Sequence, residues 1–213
     1  MIDIKNTQLD DKKFKDLGSV ISENSSFALS SLPQDFIVKA NVECDVFVSL
    51  EALDSEISLN VILEESAILN FVVLVSGRNI ISNFNYKVSH IGSRSRSNFV
   101  FKSLLDGESD LSFSGIVHVP KESSSVVSDL KHDTLLLSRK SKVSTKPALE
   151  IYNDDVEVEH SASVGHFDEQ QLFYLQSRGL SYNLSKVLLM DAFLISDLKI
   201  FSEKFYKRIT NEL

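Results

Sequence analysis

The stretch "SEISLNVILEESAILNFVVLV", residues 55–75, decides the fold. It is alternating, rich in Val, Ile and Leu, broken only by a short polar turn, and it carries no helical period. The same signature continues on both sides. Upstream stands "FIVKANVECDVFVSLE" (36–51); downstream follow "NFNYKVSHI" (83–91), "SNFVFKSLL" (97–105), "DLSFSGIVHV" (110–119), "TLLLS" (134–138) and "ALEIY" (148–152). Residues from about 36 to 165 therefore read as strands. Proline is scarce, and most turns carry Ser, Asn, Asp or a single Gly instead of the Asn-Gly hairpin signal. A long succession of short strands with few hairpin turns fits the rungs of a solenoid at least as well as a sandwich, although similar segments recur at only loosely regular spacing.

Composition narrows the function classes. With 213 residues, 43% of them apolar, the chain can bury a real core, and length favours one domain. A net charge of −8 makes phosphate backbones and anionic lipid poor partners, so neither nucleic acid nor membrane is expected. The opening "MIDIKNTQLDDKKFKDLGS" mixes charges of both signs where a signal peptide needs an apolar region. The longest apolar run, "ILNFVVLV" (68–75), is too short to span a bilayer. A soluble cytoplasmic protein is expected. The lone cysteine, Cys44, can form no intrachain disulfide and no thiolate metal site, and its setting in "NVECDVFVSL" reads as a small buried residue.

The end of the chain changes period. Asp168 followed by Gln171 is a capping-box pattern, Leu172, Phe173 and Leu175 supply an apolar face, and Gly179 stands where a left-handed residue closes a helix. A second helix is expected from about Ser181 to the end. Its first half, "LSKVLLMDAFLISDL" (184–198), is apolar on nearly every side, which suits packing on the solenoid or reception of a partner protein. The domain plan is thus an N-terminal segment (1–35), a β core (36–166) and a helical subdomain (167–213).

Polar candidates are few. Asp154 and Asp155 in "YNDDV" read first as a turn. His132 beside Asp133 looks like part of a catalytic dyad, but no nucleophile motif accompanies it and adjacent strand residues point to opposite faces. His90, His118 and His166 share no metal-ligand spacing, and "RSR" (94–96) reads as a solvated turn.

The run from 135 to 180 resembles the core of the SufB/SufD family, the scaffold subunits of the Suf iron–sulfur cluster assembly system. The agreeing pieces, in order, are "TKPALEIYNDDV" (145–156), "HSASVG" (160–165) and "DEQQLFYLQSRGL" (168–180). The "SVG" at 163–165 and Asp168 look more like SufD than SufB. The resemblance implies a right-handed parallel β-helix followed by C-terminal helices, pairing of two such subunits through the β-helix, and docking of a SufC-like ATPase on the helices. Leu184, Leu188, Leu194 and Leu198 are the docking candidates. Relatives of the SufD type usually carry a further N-terminal helical region, so this chain looks like a core-only version.

Two departures bear on chemistry. Where many SufD relatives have Lys-Cys-Ser-His, this chain has Glu157, Val158, Glu159 and His160; where SufB relatives have a sulfur-accepting Cys-Asp-Ser-Leu-Leu, it has His132 to Leu136. A persulfide acceptor needs a thiol, so this subunit cannot be the primary sulfur acceptor. His160 remains. By strand period Val156, Val158 and His160 share one face and Glu157 and Glu159 the other, and a neutral imidazole on an apolar face is either a packed residue or a ligand for iron. The resemblance makes His160 the cluster or iron-ligand candidate and Val156, Val158 and His132 the subunit-interface candidates. No cofactor is expected to stay bound to this chain alone, only an Fe–S cluster passing through the complex. A non-catalytic scaffold is the leading reading. The alternatives are a homodimeric interaction protein that has left cluster assembly and, less well supported, a stand-alone β-helix enzyme, whose hexapeptide repeat or clustered calcium-binding acids are missing.

Overall fold

The computed structural model describes residues 20–32, 35–51, 53 and 55–210, together with Asp10 and Lys12. Most of the expected N-terminal segment lies outside the described residues. Twelve strands follow in order: β1 (Val20–Ile21), β2 (Ser25–Leu29), β3 (Phe36–Val38), β4 (Glu43–Leu50), β5 (Glu56–Leu63), β6 (Ile68–Arg78), β7 (Ile81–His90), β8 (Arg96–Asp106), β9 (Asp110–Val119), β10 (Val126–Leu136), β11 (Lys142–Ile151) and β12 (Val156–Gly165). The odd strands form one six-stranded sheet and the even strands a second, each in sequence order. Every pairing is parallel, so the chain alternates between sheets and climbs one rung with each pair of strands. This is a β-solenoid. It begins at Val20, earlier than the expected residue 36, because β1 and β2 are too short to show alternation.

The corners explain why no hairpin signal is present. At one edge Asn41, Ser66, Arg94 and Ser125 adopt φ of 61°, 55°, 58° and 55°. Each donates its N–H to the corner of the next rung: to Glu65 at 2.9 Å, Ser93 at 2.9 Å, Ser124 at 2.8 Å and Asp155 at 2.6 Å. The backbone is satisfied by stacking, and the turn residue need not be glycine. Gly92 is an exception, since a Cβ there would lie 2.0 Å from the Glu65 nitrogen.

Inward-facing side chains form columns across the sheets. One runs Phe27, Val46, Phe71, Phe99, Leu130, His160, in direct register from β2 to β12. Aromatic rings cross-link it to the opposite sheet: Tyr86 stacks on Phe99 at 3.8 Å and Phe84 meets Phe101 at 4.7 Å.

The outer faces differ. In the odd sheet β7 and β9 alternate cleanly, whereas β4, β6 and β8 bury residues on both faces over 44–48, 69–75 and 99–105. What covers them is the tail. Ala28, Phe47, Val72, Leu74 and Val100 meet Leu198, Phe201 and Phe205 in a second apolar cluster. The tail comprises α1 (Glu169–Ser177), α2 (Tyr182–Ile195), a 3-10 turn (Leu198–Ile200) and α3 (Glu203–Thr210). The single second helix expected to the chain end is therefore broken at Ser196–Asp197, where the chain bends onto the sheet. Asp168 caps α1 by accepting from the Gln170 N–H at 2.8 Å. Gly179, at φ 92°, closes it with Gly179 N–H to Gln176 and Leu180 N–H to Leu175, as the sequence signals indicate.

Candidate functional site

The solenoid ends at β11 and β12, whose outer edges pair with no described strand. Inward positions that would be core in any other rung are uncovered here. Leu149 is 37% and Val164 47% exposed, and Val143, Ile151, Val156 and Val158 are half-buried against the main core. An exposed apolar end of this kind suits association. Pro147 lies in the β11 edge. Lys142 and Tyr152 donate their N–H groups back toward β9, at 2.7 and 2.9 Å, so even-numbered residues face β9 and the missing Pro147 donor falls on the free edge. Pairing along β11 is blunted, and β12 is the more open edge.

His160 is the last member of the inward column, over Leu130. It is exposed, and its ring makes no hydrogen bond to any described residue. Val156 and Val158 flank it as the strand period indicates, while Glu157 and Glu159 face outward and are exposed. The neighbouring column ends differently: Phe101, His132 and Ala162 are in register, so Ala162 lies over His132. His132 is 1% exposed and lies against Phe101 and Phe113, with Nε2 3.0 Å from the Thr134 hydroxyl. It belongs to the interior one rung below the end, which removes it from the surface a partner would touch. Asp133 points to the opposite face, toward Lys131 and Ser163, so the two residues form no dyad.

Cys44 is fully buried, and burial pushes its thiol far above the ordinary range, followed by the neighbouring Asp45 charge. It is inert. Asn153 accepts the Asp155 N–H at 2.8 Å, so the paired aspartates form a turn. Among the described residues no group of three His, Cys, Asp or Glu side chains could hold a metal ion. No helix among them is long and apolar enough to cross a membrane.

The docking candidates on the tail divide. Leu198 is fully buried on the outer face of the even sheet, and Leu194 packs at the margin of the same cluster. Leu198 is therefore a packing residue, because the chain bends after α2 and turns it inward. Leu184 and Leu188 are 46% and 42% exposed. Beside them Phe173, at 74%, Tyr174 and Tyr182 extend an apolar surface over α1 and α2 that the leucine pattern alone did not indicate. A cleft of about 460 Å³ opens where Phe173 and Tyr182 face Leu136, Arg139, His166 and Lys186.

Fold and surface together define a class: a parallel β-solenoid with an exposed apolar end and a helical tail. The sequence model for the SufBD core domain of the SUF system for FeS cluster assembly matches residues 39–193. The chain belongs to the SufBD family of iron–sulfur cluster assembly proteins. It is 28% identical over 154 residues to the iron-sulfur cluster assembly protein SufB of Bacillus subtilis, covering 68% of this chain and 33% of that protein. It is 33% identical over 109 residues to iron-sulfur cluster assembly SufBD family proteins of Staphylococcus haemolyticus and Staphylococcus aureus, covering 51% of this chain and 23% of each relative. The chain thus spans about a third or less of the length of these relatives.

Proposed function

We propose that this chain is a non-catalytic, SufD-like scaffold subunit that pairs through the open end of its solenoid with a SufB-like subunit and docks a SufC-like ATPase on α1 and α2. The observation that carries this reading is His160. Every other described residue of its column is apolar, yet the terminal position holds an imidazole with no partner among the described residues, beside exposed apolar edges, which suits donation of a nitrogen to iron across a subunit contact. One imidazole cannot hold a cluster. The cluster is cargo, and its remaining donors, sulfur included, would come from the paired subunit, since the thiol of Cys44 is buried and protonated.

The test is iron and acid-labile sulfide per complex, purified anaerobically after co-expression with a SufB-like subunit and the ATPase. If His160 is a ligand, His160→Asn and His160→Ala both lose cluster content while the complex still assembles, because Asn offers no imidazole nitrogen. Undiminished iron and sulfide in both variants would refute the ligand role. The second reading, a homodimeric interaction protein outside cluster assembly, draws on the absence of an accessible thiol.

A further inference from the structure

Helix α2 is held to the sheet at its C-terminal end and presents apolar side chains to solvent in its N-terminal half. Its N-terminal half carries the exposed Tyr182, Leu184 and Leu188. Its C-terminal end rests on Lys102, a β8 side chain only 1% exposed on the outer face of the even sheet. The Lys102 ammonium donates to the Phe193 carbonyl at 2.5 Å and to the Ser196 hydroxyl at 2.6 Å, pairs with Asp197, and stands 4.5 Å from the Phe193 ring. It neutralises the negative end of the helix and fixes where the chain bends.

The contacts continue sideways to the last strand. Asp197 also accepts from Lys131 at 2.9 Å, Lys131 is 3.2 Å from Asp133, and Asp133 accepts the Ser163 hydroxyl at 2.8 Å. Lys102, Asp133 and Ser163 are in direct register across β8, β10 and β12, so one row leads from the seat of α2 to the strand that carries His160. Burial pushes the Asp197 carboxyl up, but hydrogen bonds from Lys102 and Lys131 outweigh it and hold the group below the ordinary carboxylate range. A buried ammonium that loses its carboxylate is strongly disfavoured. The Lys102–Asp197 pair thus holds the C-terminal end of α2 against the sheet, with Asp133 4.0 Å from the same ammonium.

We propose that this four-charge cluster couples the tail to the terminal strand, so that a partner seated on α2 and a partner seated on β12 each change the other's site. The involvement of partners rests on the docking reading above; the coupling itself is a property of the chain. By linkage it is reciprocal.

Hydrogen–deuterium exchange of the full chain tests it. Ser163→Ala removes only an exposed hydroxyl and leaves the core untouched. It is expected to accelerate amide exchange at residues 194–201 by about 2-fold or more, which corresponds to the lower end of coupling between residues of one network, about 0.5 kcal/mol. Asp197→Asn is expected to do the same at residues 156–165, and the double variant to add little to either single one. Exchange in β6 and β7 reports global unfolding; if Asp197→Asn raises it, Ser163→Ala alone decides. Acceleration confined to the neighbourhood of each substitution overturns the coupling. A parallel measurement with the SufC-like ATPase separates the two claims: failure of the wild-type chain to bind it refutes docking, whereas the reciprocal effects of the variants still decide the coupling.

Discussion

His90 closes β7 with both ring nitrogens within hydrogen-bond distance of hydroxyls, Ser95 at 2.8 Å and Ser97 at 2.9 Å, and no acid beside it. Burial lowers its pKa to about 4; burial lowers that of His132 to about 4 as well, against a partial opposing effect of Asp133. Both imidazoles are neutral in the folded chain. Because the folded values lie below the unfolded one near 6.5, their contribution is complete above pH 6.5 and is lost as pH falls toward 4, on the order of 3 kcal/mol for each. Urea unfolding between pH 7.5 and 4.5 is expected to show this slope, and His90→Gln is expected to flatten it; an unchanged slope would place the acid sensitivity elsewhere. Neither histidine's burial was legible from spacing. His132 reads equally well as an interface residue until the register places Ala162 over it. His160 was legible, because strand period alone puts it with Val156 and Val158.

Among the elements, alternation marked most strands and the caps marked α1, but the corners were hidden because Ser66, Arg94 and Ser125 are not residues that announce a left-handed turn. The near-continuous apolar runs of β4, β6 and β8 imply cover on both faces, and the apolar tail is that cover. Packing and docking then separate by substitution. Leu198→Ala is expected to cost about 2–5 kcal/mol by opening a cavity under the tail. Leu188→Ala is expected to change stability by no more than about 0.5 kcal/mol while weakening ATPase binding. Equal stability losses would merge the two roles. At the corners Gly92→Ala is expected to destabilise by about 1–3 kcal/mol, since the new methyl meets backbone that cannot yield; Gly165→Ala, with nothing within 4 Å, is expected to be nearly neutral in thermal unfolding.

At the scale of the whole molecule, the described strands satisfy one another rung on rung, and exposed apolar surface stands at β11 and β12 and on the N-terminal half of α2. Exposed apolar surface of this kind suits the pairing and docking proposed above. Leu149→Asp, at the exposed end, is expected to abolish pairing with the SufB-like subunit in sedimentation velocity at micromolar concentration while leaving the circular dichroism of the strands unchanged; a paired species that survives it would locate the interface elsewhere. The identity of the partners is tested most directly by purifying the tagged chain from its own cells and identifying the bound proteins by mass spectrometry. The expected result is a SufB-like subunit and a SufC-like ATPase in stoichiometric amounts. Recovery of the chain alone, or only with further copies of itself, would contradict its place as a subunit of a cluster-assembly scaffold.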